Sequence, residues 1–273
     1  MNRRQFGLLP ILLASCALVV LVSFFYPESV LPRGLTYVMP APLSYSYSYF
    51  PFLAAIATSL FFARGFVKSG SVGLAALGIG SLVMGAGLLL PQVIVYLAPA
   101  NANELMGISS LVFLTSGTLF AAFSTLSLLT ADRTAKLSFG LLILGYAGGL
   151  ALVALIAVAA SSNILPPFFM PVKGPTLFRE EVIGVSIILY GYSSLVIFER
   201  YRGTRDDILF WFSLGLAATA LSFLAALLGI LPGGPYSWLS RASLIVGGVY
   251  FTAALLTAYK SVASSTVELD GST

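Results

Sequence analysis

The chain has 273 residues, 58% of them hydrophobic and only 9% charged, with a mean hydropathy of +0.98. A water-soluble domain of this size needs far more polar surface, so the composition points to a lipid bilayer as the solvent. The net charge of +4 fits basic cytoplasmic loops of a membrane protein better than nucleic-acid binding. There is no histidine, which excludes bis-histidine haem, histidine metal sites and Ser-His-Asp chemistry. The single cysteine, Cys16, rules out an internal disulfide.

Eight apolar stretches are predicted as transmembrane helices, at 6–26, 47–66, 72–98, 106–130, 137–160, 182–199, 208–231 and 238–259. Each reaches the length of about 20 residues that a helical crossing needs, and none alternates as a barrel strand would. The expected fold is an all-α, polytopic helical bundle over 1–260, with a short polar tail at 261–273 too short to fold alone. The bilayer is its first partner, and a multi-pass place in the cell membrane follows.

The first stretch has competing readings. Arg3-Arg4-Gln5-Phe6 resembles a twin-arginine export signal, and Leu13-Ala14-Ser15-Cys16 fits a lipoprotein cleavage box. The apolar run continues unbroken through 17–26, longer than a signal peptide needs, which favours an uncleaved span. The segment 27–46, which contains Pro32, Pro40 and Pro42, then leads into a Ser-Tyr alternation at 44–49 whose rings suit the membrane interface.

The third span carries Gly73, Gly78, Gly80, Gly85 and Gly87, and Pro91 is expected to bend it. Gly145 and Gly149 in the fifth span, Gly215 in the seventh and Gly247 and Gly248 in the eighth extend this small-residue pattern, which lets helices approach closely in lipid. With the N-terminus inside, ten basic residues fall on the cytoplasmic side and four (Arg33, Lys173, Arg179, Arg241) outside, so both termini are expected to be cytoplasmic.

Ionisable residues avoid the centres of the spans, which weakens ion-coupled transport, and no repeat relates the two halves. Lys260 stands at a span end, too shallow for a retinal Schiff base. The polar exceptions cluster near the starts of the sixth and eighth spans: Arg179, Glu180 and Glu181, then Trp238 and Arg241. Acidic residues at a helix start complement its dipole. Arg241, a little inside the expected interface, should pair with a carboxylate or a carbonyl or snorkel outward, and a Glu181–Arg241 ion pair between the sixth and eighth spans is the expectation. The mixed charges from Glu199 to Asp207 form a solvated loop or a contact for a cytoplasmic partner.

Two stretches carry a resemblance. Leu165-Pro166-Pro167-Phe168-Phe169-Met170 through Gly174-Pro175-Thr176-Leu177-Phe178-Arg179-Glu180-Glu181 resembles the outer loop of membrane-associated sensor (MASE-type) domains, nearest the third of the numbered classes. Pro167, Phe169, Gly174, Thr176, Arg179 and Glu181 occupy the places of its proline–aromatic, Gly-x-Thr, basic and glutamate elements. The run from Ile208 to Gly215, with Trp238-Leu239-Ser240-Arg241 and Gly247-Gly248-Val249-Tyr250, is similar to the last two spans of such sensors. Two departures stand out: the missing histidines, and a chain that ends at Thr273 with no output domain.

The resemblance implies a sensory input module, not an enzyme, with no cofactor and no metal. It implies a cytoplasmic histidine kinase, PAS or cyclase output domain as partner, and a homodimer. The chain is then a truncated product or signals to a separate protein. The candidate sensing residues are Phe168, Phe169, Thr176, Arg179, Glu181, Trp238 and Arg241. The alternative is a carrier, or accessory subunit, for a hydrophobic or lipid-like solute, with the glycine-rich third span and Pro91 as moving parts. An intramembrane enzyme would need a catalytic constellation where the chain offers scattered serines, and a purely structural subunit is the remaining reading.

Overall fold

A computed structural model describes residues 13, 14, 17, 41–97, 102–130, 132–134, 139–170, 174–229 and 235–270. They form seven helices: α1 (Ala41–Ser69), α2 (Val72–Leu97), α3 (Ala102–Leu129), α4 (Phe139–Ser161), α5 (Leu177–Thr204), α6 (Asp207–Leu228) and α7 (Pro235–Asp270). A two-residue hairpin, β1 (Phe169–Met170) and β2 (Gly174–Pro175), lies between α4 and α5. All seven helices are long and apolar enough to cross a membrane. They match the second to eighth stretches read from the sequence, and all but a few residues of the first lie outside the described residues. Leu13, which is described, packs against Leu221 and Ala225 of α6.

The boundaries have local causes. Gly70 (φ +69°) lets α1 turn directly into α2. The Val72 amide then donates to Arg133 O at 3.1 Å, which ties that turn to the α3–α4 connection. Only Arg205 and Asp206 separate α5 from α6. Arg205 takes a left-handed conformation (φ 57°), and its amide closes α5 on Tyr201 O. The Asp206 carboxylate accepts from the Ile208 amide at 2.9 Å and so caps α6. These turns share one end of the bundle, with exposed Arg200, Arg202 and Arg205 beside them.

The spanning parts of α2 and α6 are the most deeply buried, 61% of each, whereas α4 is only 17% buried. On α4, Ile143, Leu144, Leu155 and Val158 all face outward. Apolar exposure on that scale suits acyl chains and not water. Glycine makes the close crossings. At Gly78 the Tyr146 hydroxyl passes where a β-carbon would stand, and it donates to Ser59 O at 2.9 Å. α2 remains helical through Pro91 to Leu97.

Hydroxyls stitch the helices together. Thr118 and Thr125 of α3 meet Ser186 and Ser193 of α5 at 2.6 and 3.0 Å. Between them the buried Tyr190 hydroxyl donates to Gly117 O at 2.7 Å. Ser194 donates to Ser213 O at 2.8 Å, and Ser222 meets Ser240 at 3.1 Å, which extends the series through α6 to α7. In lipid such bonds, together with close packing, replace the hydrophobic drive that joins helices in water.

The polar stretch that begins at 261, expected as a short tail, continues α7 as helix to Asp270. No proline follows Pro235 within α7, so nothing in the backbone stops propagation once the packed part is formed. The 36 residues of α7 extend about 54 Å at 1.5 Å per residue, against about 30 Å for a hydrocarbon core.

Candidate functional site

The candidate site lies at the end of the bundle opposite the Arg205 turn, where the segment from 162 to 176 joins α4 to α5. Its keystone is Thr176. The Thr176 amide donates to Phe168 O at 3.0 Å, and its hydroxyl donates to Pro167 O at 2.8 Å. The same oxygen accepts from the Arg179 amide at 3.4 Å, which makes Thr176 the N-cap of α5. One side chain therefore holds the loop closed and starts the helix. Gly174, paired with Met170, sits at φ +79°, a conformation that glycine adopts without strain. Phe168 is driven inward to 1% exposure and meets Phe178 edge to face at 5.5 Å.

Arg179 follows one turn into α5 and is 4% exposed. Its guanidinium donates to Ala226 O and, at 3.2 Å, to Gly229 O. These carbonyls belong to the last turn of α6 and the residue after it, where helix acceptors lose their partners and the dipole is negative. A buried cation is tolerable there because two carbonyls and the helix end face it. Arg179 thus clamps the start of α5 to the finish of α6. Gly229 assists, since its own amide closes the helix on Ala225 O at 3.0 Å.

The candidates divide into groups. Phe168, Thr176 and Arg179 form one connected assembly. Phe169 is placed by its backbone opposite Pro175 in the hairpin. Trp238 and Arg241 lie together on α7, with the Arg241 guanidinium carbon 5.6 Å from the indole centroid. Glu181 is exposed. The expected Glu181–Arg241 ion pair does not form: the ion pair among the described residues is Arg202–Glu199 at 3.2 Å, at the opposite end. The physical reason is geometric. Residues 179 and 181 lie about 200° apart around a helix of 3.6 residues per turn, so turning Arg179 into the bundle turns Glu181 out of it.

Several residues of this framework escaped the sequence reading. Tyr190, Thr118, Ser186, Thr125 and Ser193 were absent from it. The signal was present: hydroxyls seven residues apart on α3 and again on α5 fall on one helical face. Comparisons with protein families, curated proteins and solved structures give no match for this chain.

Proposed function

We propose that this chain is a membrane-embedded sensory input module. A signal at the outer face or within the bilayer would bias helix positions, and a cytoplasmic partner would read the bias. The partner class is a histidine kinase, PAS or cyclase domain, and a homodimer would fit it, following the MASE-type resemblance of 165–181 and 208–250. The observation that supports the reading most is the Arg179 clamp. A single buried side chain links the loop-bearing start of α5 to the end of α6, and α6 in turn packs along α7. Anything that moves the loop at Thr176 would move α6 and, through it, the helix that runs to Asp270. Such coupling requires a signal that favours one of two bundle arrangements.

The proposal includes eight spans in the cell membrane. The Arg200–Arg205 end faces the cytoplasm by the charge rule, the Thr176 end faces outward, and both termini lie inside. A first span entering at residue 6 from the inside would set Leu13 opposite the inner half of α6. Leu13 instead packs on Leu221 and Ala225, in the half nearer Gly229. Labelling of a cysteine placed at Asn2 in a Cys16→Ser background, by a membrane-impermeant reagent in intact cells, decides that terminus: protection supports the inside placement, and labelling, the outcome toward which the Leu13 contact points, overturns it.

The functional test joins a histidine kinase catalytic region after Thr273 and measures autophosphorylation in nanodiscs of two lipid thicknesses. Wild type and Arg179→Met are expected to differ in basal activity or in their response to thickness. Identical activity of both proteins in both bilayers would sink the sensor reading.

A further inference from the structure

Five helices meet around a void of about 20 Å³ near mid-depth in the bundle, room for about one water-sized group. Its walls include Thr58 of α1, Ser81 and Met84 of α2, Phe120 of α3, Thr219 of α6 and Phe251 of α7. The three hydroxyls differ in what they have left to offer. Thr58 and Thr219 spend their protons on Ala54 O at 2.7 Å and Gly215 O at 2.8 Å, and each keeps acceptor capacity. Ser81, 1% exposed, makes no hydrogen bond and holds a free donor. A buried hydroxyl without a partner is unfavourable and rare in native interiors. A guest oxygen that accepts from Ser81 and donates to a threonine would complete the set, which both a water and an alcohol hydroxyl can do. The remaining wall is apolar.

A second void, about 10 Å³, shares Thr58 and Phe251 with the first and continues past Phe62 and Phe212 toward the Arg205 end. Neither void is sealed, and both lie along the line where α1 meets α7, a looser junction than α6 with α7. The half-buried Phe251 ring stands between them. We propose that this seam binds a slender amphiphile of the long-chain alcohol class. Its hydroxyl sits among Ser81, Thr58 and Thr219, and its chain lies along the α1–α7 line after displacing the Phe251 ring. The site is separate from the Arg179 clamp and stands whether or not the chain signals.

The test uses the full chain in phosphatidylcholine nanodiscs with a diazirine-bearing dodecanol, and labelled peptides are mapped by mass spectrometry. Saturable labelling of the α1, α2 and α7 segments around the void is expected, competed by 1-dodecanol and much less by dodecane. Ser81→Ala, and independently Thr219→Val, is expected to raise the half-competing dodecanol concentration about tenfold, the scale of one lost hydrogen bond. A void that holds only water would give unsaturable labelling spread over lipid-facing positions such as Leu144 and Leu155. That result, equal competition by dodecane, or unchanged competition in both folded variants would overturn the proposal.

Discussion

Replacing Arg179 by methionine removes the two charge-assisted bonds to Ala226 O and Gly229 O while roughly keeping the apolar volume. Hydrogen bonds to a charged group contribute about 1.5–3 kcal/mol each, so the gross loss is about 3–6 kcal/mol. Relief from burying a guanidinium, 4% exposed, returns part of this, because buried charges carry a desolvation penalty of several kcal/mol. The carbonyls left behind at the end of α6 remain unsatisfied and oppose that relief. The expected net is a destabilisation of about 2–4 kcal/mol, or about 4–16 °C in Tm for a domain of this size. Thermal unfolding in nanodiscs, followed by intrinsic fluorescence, provides the assay. Arg179→Lys, which retains charge but loses the planar fork, should fall between wild type and methionine. A methionine variant within about 0.5 kcal/mol of wild type, or a more stable one, would refute the view of Arg179 as the clamp between α5 and α6.

Three further outcomes are expected. Gly78→Ala places a methyl against the Tyr146 hydroxyl and should destabilise by about 1–3 kcal/mol; Tyr146→Phe in the same background should recover part of the loss, while Gly148→Ala, which meets nothing within 4 Å, should be near neutral in the same unfolding assay. A double-mutant cycle of Thr118→Val with Ser186→Ala, across the 2.6 Å contact, should give a coupling of about 0.6–1.7 kcal/mol, and zero coupling would remove this pair from the interhelical framework. Thr176→Val deletes the N-cap and the bond to Pro167 O; it should lower stability by about 1 kcal/mol and increase proteolysis within 162–176, whereas an unchanged cleavage pattern would contradict the role of Thr176 as keystone.

The bundle's parts were legible in the sequence because crossing a membrane is a local property. Enough consecutive apolar residues bury their own backbone hydrogen bonds in a helix, whatever lies beside them. The stretches read at 72–98 and 208–231 accordingly correspond to Val72–Leu97 and Asp207–Leu228. Thr176 and Arg179 were also visible, as polar residues at the threshold of a span. What each would touch was a different matter. Arg241 looked like the cation in need of a carboxylate, yet Arg179 is the one held in the bundle, by carbonyls 47 and 50 residues further along the chain. No pattern local to α5 contains that information, because the acceptors exist only where α6 ends beside it.

The same holds for the serines and threonines that looked scattered along the chain. Thr58, Ser81 and Thr219 come to line one void only when three helices meet. The apolar stripes cannot choose that arrangement, since lipid solvates every face of every span equally well. Tertiary packing chose it through the positions where glycine lets another helix approach and where a hydroxyl finds a carbonyl or a second hydroxyl, and those are properties of pairs of helices and not of any one segment.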